Sequence, residues 1–208
     1  MANTKKNILQ SAIFLFNTYG LVNVRLQQIA DETGISVGNL AYHYYSKKAV
    51  VIAIDNQLEG EITPLLHLES DFPYLIDFDN HLSNYYNLIK QFSFYFLDVL
   101  ELERAYPKLH EKRKVYIEQM ISQIKKWLDI NVEKGLFKSE LQENHYYYTS
   151  STIWLIITFW LTQKKVRGVD DDNEGLFKEA VWNQLLPLFT DSGFLEYEAI
   201  ILPQLKYY

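Results

Sequence analysis

Between Thr4 and Tyr19 the apolar residues Ile8, Ala12, Leu15, Phe16 and Tyr19 recur at three- and four-residue steps, with polar residues filling most of the intervals. That spacing is one face of an amphipathic helix, with Thr4 placed to cap its start and Gly20 to stop it. A shorter helix is predicted over Leu26–Thr33, with Leu26, Ile29 and Ala30 inward and Gly34 as its end. Ser36 can cap a third helix reaching about Tyr44, with Leu40 inward, and Ser46 a fourth that runs through Ile52, Ile54 and Leu58 toward Pro64. Beyond it, Asp79–Arg104, Lys108–Lys134, Asn144–Lys165 and Glu174–Leu188 are helical by period or composition, and a terminal helix fits Leu195 to Leu202. Pro107, Gly135 and the polar stretch Arg167–Gly175 separate them. No stretch sustains an alternation of period two, so no sheet is expected. The pattern predicts an all-α chain: a three-helix head over residues 1–48 and a helical body over 49–208, with the fourth helix as a rigid connection between them.

The spacing inside the head is more specific. From Leu26, Ala30 lies four residues on, Gly34 eight and Leu40 fourteen. Two helices that cross steeply through a short turn need these residue types. A small residue at 30 admits the second helix, glycine at 34 takes the left-handed conformation without a Cβ penalty, and a large apolar residue at 40 fills the crossing. This is a helix-turn-helix pattern, and it turns the third helix outward as the element that enters a DNA groove.

Charge supports that placement. Net charge is −6, which by itself argues against nucleic acid. Yet residues 1–50 carry Lys5, Lys6, Arg25, Lys47 and Lys48 against Asp31 and Glu32, a net +3, leaving −9 for the remainder. An anionic partner is therefore expected at the head. With no cysteine, disulfides and thiolate chemistry are excluded. The N-terminal stretch lacks the pattern of a secretory signal, and the most apolar run, Ile153–Leu161, is too short for a bilayer, which takes about 20 residues. A cytoplasmic protein with no membrane partner is expected.

The stretch Thr4–Val50 resembles the DNA-binding domain of the TetR family of bacterial transcriptional regulators. The matching residues stand in order and without gaps: Ile8-Leu9, Ala12, Leu15-Phe16 and Gly20; Ile29-Ala30; Gly34-Ile35-Ser36, Gly38 and Leu40; His43-Tyr44; and Ser46-Lys47. Less than a quarter of the chain carries this resemblance; the body shares only the family's length and helical character. The resemblance implies a homodimer that lays two third helices in the major groove of a palindromic operator. It also implies a body that dimerises and binds a small-molecule effector, most often in a repressor, with one DNA turn of about 35 Å between the recognition helices. Side-chain chemistry agrees. Ser36, Val37, Gly38 and Asn39 stand at the N-terminal turn of the third helix, where free N–H groups suit phosphate, and Asn39 matches an adenine edge. Tyr42 and His43 can donate to phosphates, and Lys47 can clamp a second one.

Two positions depart from the family pattern. Arg25 stands where a hydroxyl residue usually caps the second helix, either to meet a phosphate or merely to face solvent. Ala41 stands where a tyrosine is usual, so Asn39, Tyr42 and His43 carry more of the reading.

In the body, Phe92, Phe96, Tyr116, Met120 and Trp127 form stripes at helical spacing, readable as plain core or as the lining of an apolar effector cavity, with His110, Tyr148 or Thr158 as polar anchors. The effector expected is hydrophobic or aromatic. Thr152–Leu161 is apolar all round, as the centre of a monomer core or as half of a two-fold interface. The dimer reading places Ile153, Trp154, Ile157, Trp160, Leu161, Trp182 and Leu185 between subunits. Asp77, Asp79 and His81 read as N-caps and first-turn acids rather than metal ligands, and Asp170–Glu174 lacks the spacing of a calcium loop. No cofactor, metal or catalytic constellation is expected. The competing reading is a helical small-molecule-binding or interaction protein whose head no longer binds DNA.

Overall fold

The computed structural model describes residues 2–66, 74–169 and 173–205, apart from the side chains of 2 and 110. Among these residues the chain is all-helical: α1 (Ala2–Tyr19), α2 (Leu26–Thr33), α3 (Val37–His43), α4 (Lys47–Leu66), α5 (Leu75–Gln91), α6 (Ser93–Leu97), α7 (Val99–Ala105), α8 (Pro107–Glu133), α9 (His145–Val166), α10 (Glu174–Leu185), α11 (Asp191–Glu196) and α12 (Leu202–Leu205). A 3₁₀ turn spans Leu186–Leu188 and a π turn Tyr197–Ile201. None of the described helices is long and apolar enough to cross a membrane.

The turn between α2 and α3 follows the expected logic. Gly34 has φ 73°, its N–H donates to the Asp31 carbonyl, and the Ile35 N–H donates to that of Ala30. This closes α2 with a glycine in the left-handed region. Ser36 Oγ accepts from Asn39 N at 3.1 Å, and Ser46 Oγ from Ala49 N at 3.2 Å, so both serines cap as predicted. Thr4 does not: α1 already starts at Ala2, which leaves Thr4 inside the first turn.

The head core is built from Ile8, Ala12, Phe16, Ile29, Ala30 and Leu40, and it continues into Val50, Val51, Ile54 and Leu58 of α4 and into Phe92, Phe94 and Leu102. The second core, in the body, centres on aromatic rings. Phe78 stacks on Trp127 at 4.1 Å and meets Trp182 edge-on at 5.6 Å. The segment after α10 docks on the loop after α8 through Lys138 N to Leu188 O and Thr190 N to Leu136 O. A Cβ on Gly193 would lie 2.0 Å from the Leu136 carbonyl oxygen, so only glycine allows this approach.

The helix expected over Asp79–Arg104 is instead three. It begins at Leu75 and breaks at Phe92 and at Asp98, whose backbones leave the helical region. Asp79 is therefore not a cap but a buried acceptor: its carboxylate takes Lys178 Nζ at 2.9 Å and Trp182 Nε1 at 3.0 Å. Burial alone would lower the Lys178 pKa, but the hydrogen bonds and charges of Asp79 and Glu174 outweigh it and hold the ammonium above its ordinary value. His81 is also buried, and burial lowers its pKa to about 4. The expected loop Asp170–Glu174 lies partly outside the described residues; within it, Asn173 caps α10 by accepting from Leu176 N.

Candidate nucleic-acid interface and body cavity

Leu40 is fully buried and anchors α3 to the head, which fixes what the helix shows to solvent. Gly38, Asn39, Ala41 and Tyr42 are exposed, with Tyr42 at 77%, and its ring meets His43 edge-on at 5.2 Å. Ser36 is exposed while capping. Val37 is half-buried, part of it packed against the head core. Arg25 is exposed, and the missing N-cap hydroxyl is partly made good from the other side: Arg25 N donates to Gln28 Oε1 at 2.8 Å.

Lys47 is a correction. Its ammonium turns inward to donate to the carbonyls of Leu21 and, at 3.3 Å, Val22, and lies 5.8 Å from the Phe16 ring. The turn after α1 leaves these carbonyls without helical partners, and a lysine at the start of α4 reaches them. Burial lowers its pKa, opposed by the charge of Glu101. Lys47 therefore secures the head, and Lys48 beside it is the exposed cation. Tyr45, at 81% exposure, joins the same surface. In the sequence Lys48 counts toward the positive charge of the head without being a named DNA contact, and Tyr45, past the end of α3, has no helical spacing to mark it.

The body contains a cavity of about 700 Å³ that is partly open to solvent. Its walls come from α4 (Asp55, Leu58, Glu59), α5 (Tyr85, Leu88, Ile89), α6 and α7 (Tyr95–Glu101, Glu103, Arg104), α8 (Arg113, Tyr116, Met120) and α9 (Trp154, Ile157, Thr158, Phe159, Thr162). Phe96, Tyr116, Met120 and Thr158 line it. Phe92 does not: it is fully buried in the core shared by head and body. Trp127 stacks in the body core and only borders a small adjoining pocket. Tyr148 is 66% exposed on the outer surface. The His110 side chain lies outside what the structure describes. The charged groups on one wall are mutually engaged: Asp55 accepts from Tyr95 Oη at 2.7 Å, Lys112 pairs with Glu59 at 2.8 Å, and Arg113 lies 4.5 Å over the Tyr95 ring and 3.5 Å from Glu103.

Two side chains tie the cavity wall to the head. Asn17 on α1 donates to Gln91 O at 2.9 Å and accepts from Phe94 N at 2.9 Å, bridging the break between α5 and α6. Asp98, which lines the cavity at the α6–α7 break, accepts from Leu21 N at 3.0 Å. Both breaks thus occur where head contacts replace continued helix. Phe16 and Phe94 pack at 5.2 Å between them.

The surface of α9 also departs from expectation. Ile153, Ile157, Trp182 and Leu185 are buried within the subunit, so they cannot form an interface between subunits. Trp154 lines the cavity, Trp160 packs on Phe177 and Leu161 is half-buried. The face left open carries Tyr148, Leu155 (48% exposed) and Val166, while Phe159 (37%) is partly exposed and also lines the cavity; Leu176 on α10 is exposed as well. A helix apolar on every side has enough residues for both the core and an outward face, and the sequence pattern could not say which residue went where.

Comparison with known proteins agrees with this architecture. A family model described as bacterial regulatory proteins, tetR family, matches residues 8–54, and one described as bacterial transcriptional repressor matches residues 57–194. The HTH-type transcriptional regulator RutR of Escherichia coli is 41% identical over 69 residues, 33% of this chain, which spans 32% of that relative's length. A solved TetR-family transcriptional regulator from Marinobacter aquaeolei VT8 superposes with a TM-score of 0.81 at 23% identity, covering 97% of each chain. A transcriptional regulator from Saccharomonospora viridis, solved in complex with choline, gives 0.69 at 17% identity, covering 91% of this chain and 100% of that one.

Proposed function

Because the chain belongs to the TetR family of bacterial transcriptional regulators, we propose that it is a repressor that holds a palindromic operator as a homodimer and lets go when a small apolar effector fills the cavity. In this reading Arg25, Ser36, Gly38, Asn39, Tyr42 and His43 meet the DNA, joined by Tyr45 and Lys48; Lys47 and Val37 support the head from within. Asn39 reads a base edge, and the others position the helix on phosphates and sugars. The open apolar face of α9, continued by Leu176 of α10, packs against its two-fold copy and sets the distance between heads. The protein acts in the cytoplasm, where its DNA is, and performs no catalysis.

One observation carries the proposal: Asp98 lines the cavity and also accepts the Leu21 N–H of the head. A ligand that displaces the α6–α7 segment must move the turn that α2 and α3 depend on. The α4 helix provides a second route, since Leu58 lines the cavity while Val50 and Ile54 of the same helix lie in the head core. Effector and operator then bind with reciprocal negative coupling, of about 1–3 kcal/mol in typical cases.

The test is fluorescence anisotropy with duplex DNA from upstream of the protein's own gene, over a range of salt. Saturable, salt-dependent binding is expected, weakened by Asn39→Ala. Failure of the wild type to bind any duplex at low salt would leave the proposal without support.

A further inference from the structure

Tyr85, Met120 and Ile157 are walls common to the large cavity and to a second pocket of about 10 Å³ behind it. A space of this size holds about one oxygen-sized group. Three residues that carry a hydrogen-bond donor line the small pocket, Tyr85, Gln123 and Trp127, and their donor atoms are Tyr85 Oη, Gln123 Nε2 and Trp127 Nε1. All three atoms are buried, and none has a hydrogen-bond partner among the described residues. Tyr85 is only 2% exposed. Unmet buried donors destabilise a fold, and phenylalanine or leucine would fill the same space without that cost. Three on the residues around one small pocket therefore point to something that accepts hydrogen bonds there.

We propose that this pocket is the head-group subsite of the effector site and takes an uncharged carbonyl oxygen, as in a ketone, ester, amide or lactone, whose apolar remainder lies in the large cavity. The inference rests on the reading of that cavity as an effector site. A carbonyl oxygen has two lone pairs and no hydrogen, so it accepts from more than one of these donors at once. An alcohol brings a further O–H into a set already rich in donors. A carboxylate brings a charge, and no lysine or arginine borders the small pocket to balance it. The one imidazole there, His81, stays neutral near neutral pH because burial disfavours its cation. Arg113 lines the large cavity but is engaged by Glu103 and the Tyr95 ring.

Titration calorimetry of the full chain with 2-decanone, 1-decanol and decanoate, at neutral pH, tests this. The ketone is expected to bind about ten-fold or more tighter than decanoate, and Tyr85→Phe and Gln123→Leu each to weaken it about three- to ten-fold. Both variants should melt at or above the wild-type temperature, because they remove unmet donors, whereas loss of a structural contact would lower it. Equal binding of ketone and carboxylate, variants that leave the ketone's advantage unchanged, or no binding by any of the three would overturn the proposal. Operator binding by the unliganded protein is measured alongside; its retention in both variants separates a failure of the subsite from a failure of the regulator reading.

Discussion

Replacing Asn17 with alanine removes both bonds that bridge α1 to the α5–α6 break, Nδ2 to Gln91 O and Phe94 N to Oδ1, each 2.9 Å. A neutral intramolecular hydrogen bond contributes about 1 kcal/mol, so the expected loss is about 2 kcal/mol. Asp98→Ala removes a single bond, to Leu21 N at 3.0 Å, but its acceptor is charged and the site is partly buried. Such a bond contributes roughly 1.5–3 kcal/mol. The two variants break the same joint, since both tie the head to the segment Gln91–Asp98. Once one is cut, the other holds a partly released head, and the double variant should lose less than the sum by about 0.5 kcal/mol or more. Urea denaturation of the four proteins in the cycle measures this, and hydrogen exchange at the Leu21 and Phe94 amides locates it. Single losses below about 0.5 kcal/mol, or strict additivity, would refute the view that these contacts form one joint. Operator binding adds the functional arm: if the joint carries the signal, Asp98→Ala should reduce the ratio of operator affinities measured without and with an effector.

Three further predictions follow from particular side chains. Lys48→Ala should weaken binding to all DNA sequences and reduce the salt slope by about 0.9, one phosphate contact, while Lys47→Ala should mainly lower the melting temperature, because its ammonium holds the turn after α1. Leu155→Glu should give a folded monomer in analytical ultracentrifugation, since this side chain is 48% exposed on the open face of α9 and is not part of the cavity wall; an intact dimer would remove that face from the interface. The pKa of His81 is lowered from 6.5 to about 4, so the unfolded chain binds the proton more readily between those values. Its contribution to stability is complete above pH 6.5, is lost as pH falls toward 4, and amounts to about 2 kcal/mol between neutral pH and pH 5. His81→Gln should flatten the pH dependence of the denaturation midpoint by that amount, and an unchanged slope would show that His81 is not its source.

Local pattern alone was enough for the head. The Leu26–Ala30–Gly34–Leu40 spacing, the caps at Ser36 and Ser46 and the bounds of α2 all depend on residues within a few positions of one another, where backbone sterics and capping act. The same locality let α4 be followed through the boundary of head and body. Elsewhere local periodicity was compatible with more than one outcome. Ile153, Leu155 and Ile157 are equally apolar in sequence, yet two face the core and one the solvent, because only packing against α8 and α10 decides which face is covered. Lys47 and Lys48 are indistinguishable by composition; the free carbonyls of Leu21 and Val22 drew the first inward and left the second out. Asp79 looked like a helix cap until Lys178 and Trp182, about a hundred positions away, proved to be its partners. The breaks at Phe92 and Asp98 likewise have no breaker residue in sequence and arise where Asn17 and Leu21 supply hydrogen bonds across 77 positions. The sequence by itself determined the turn between α2 and α3 and the serine caps of the head, since short-range geometry sets them, whereas which of its lysines reaches the surface was decided by contacts 25 and 26 positions away. The cavity, its unmet donors and its link to the head were decided by tertiary structure, because each needs atoms from helices whose meeting no local rule specifies.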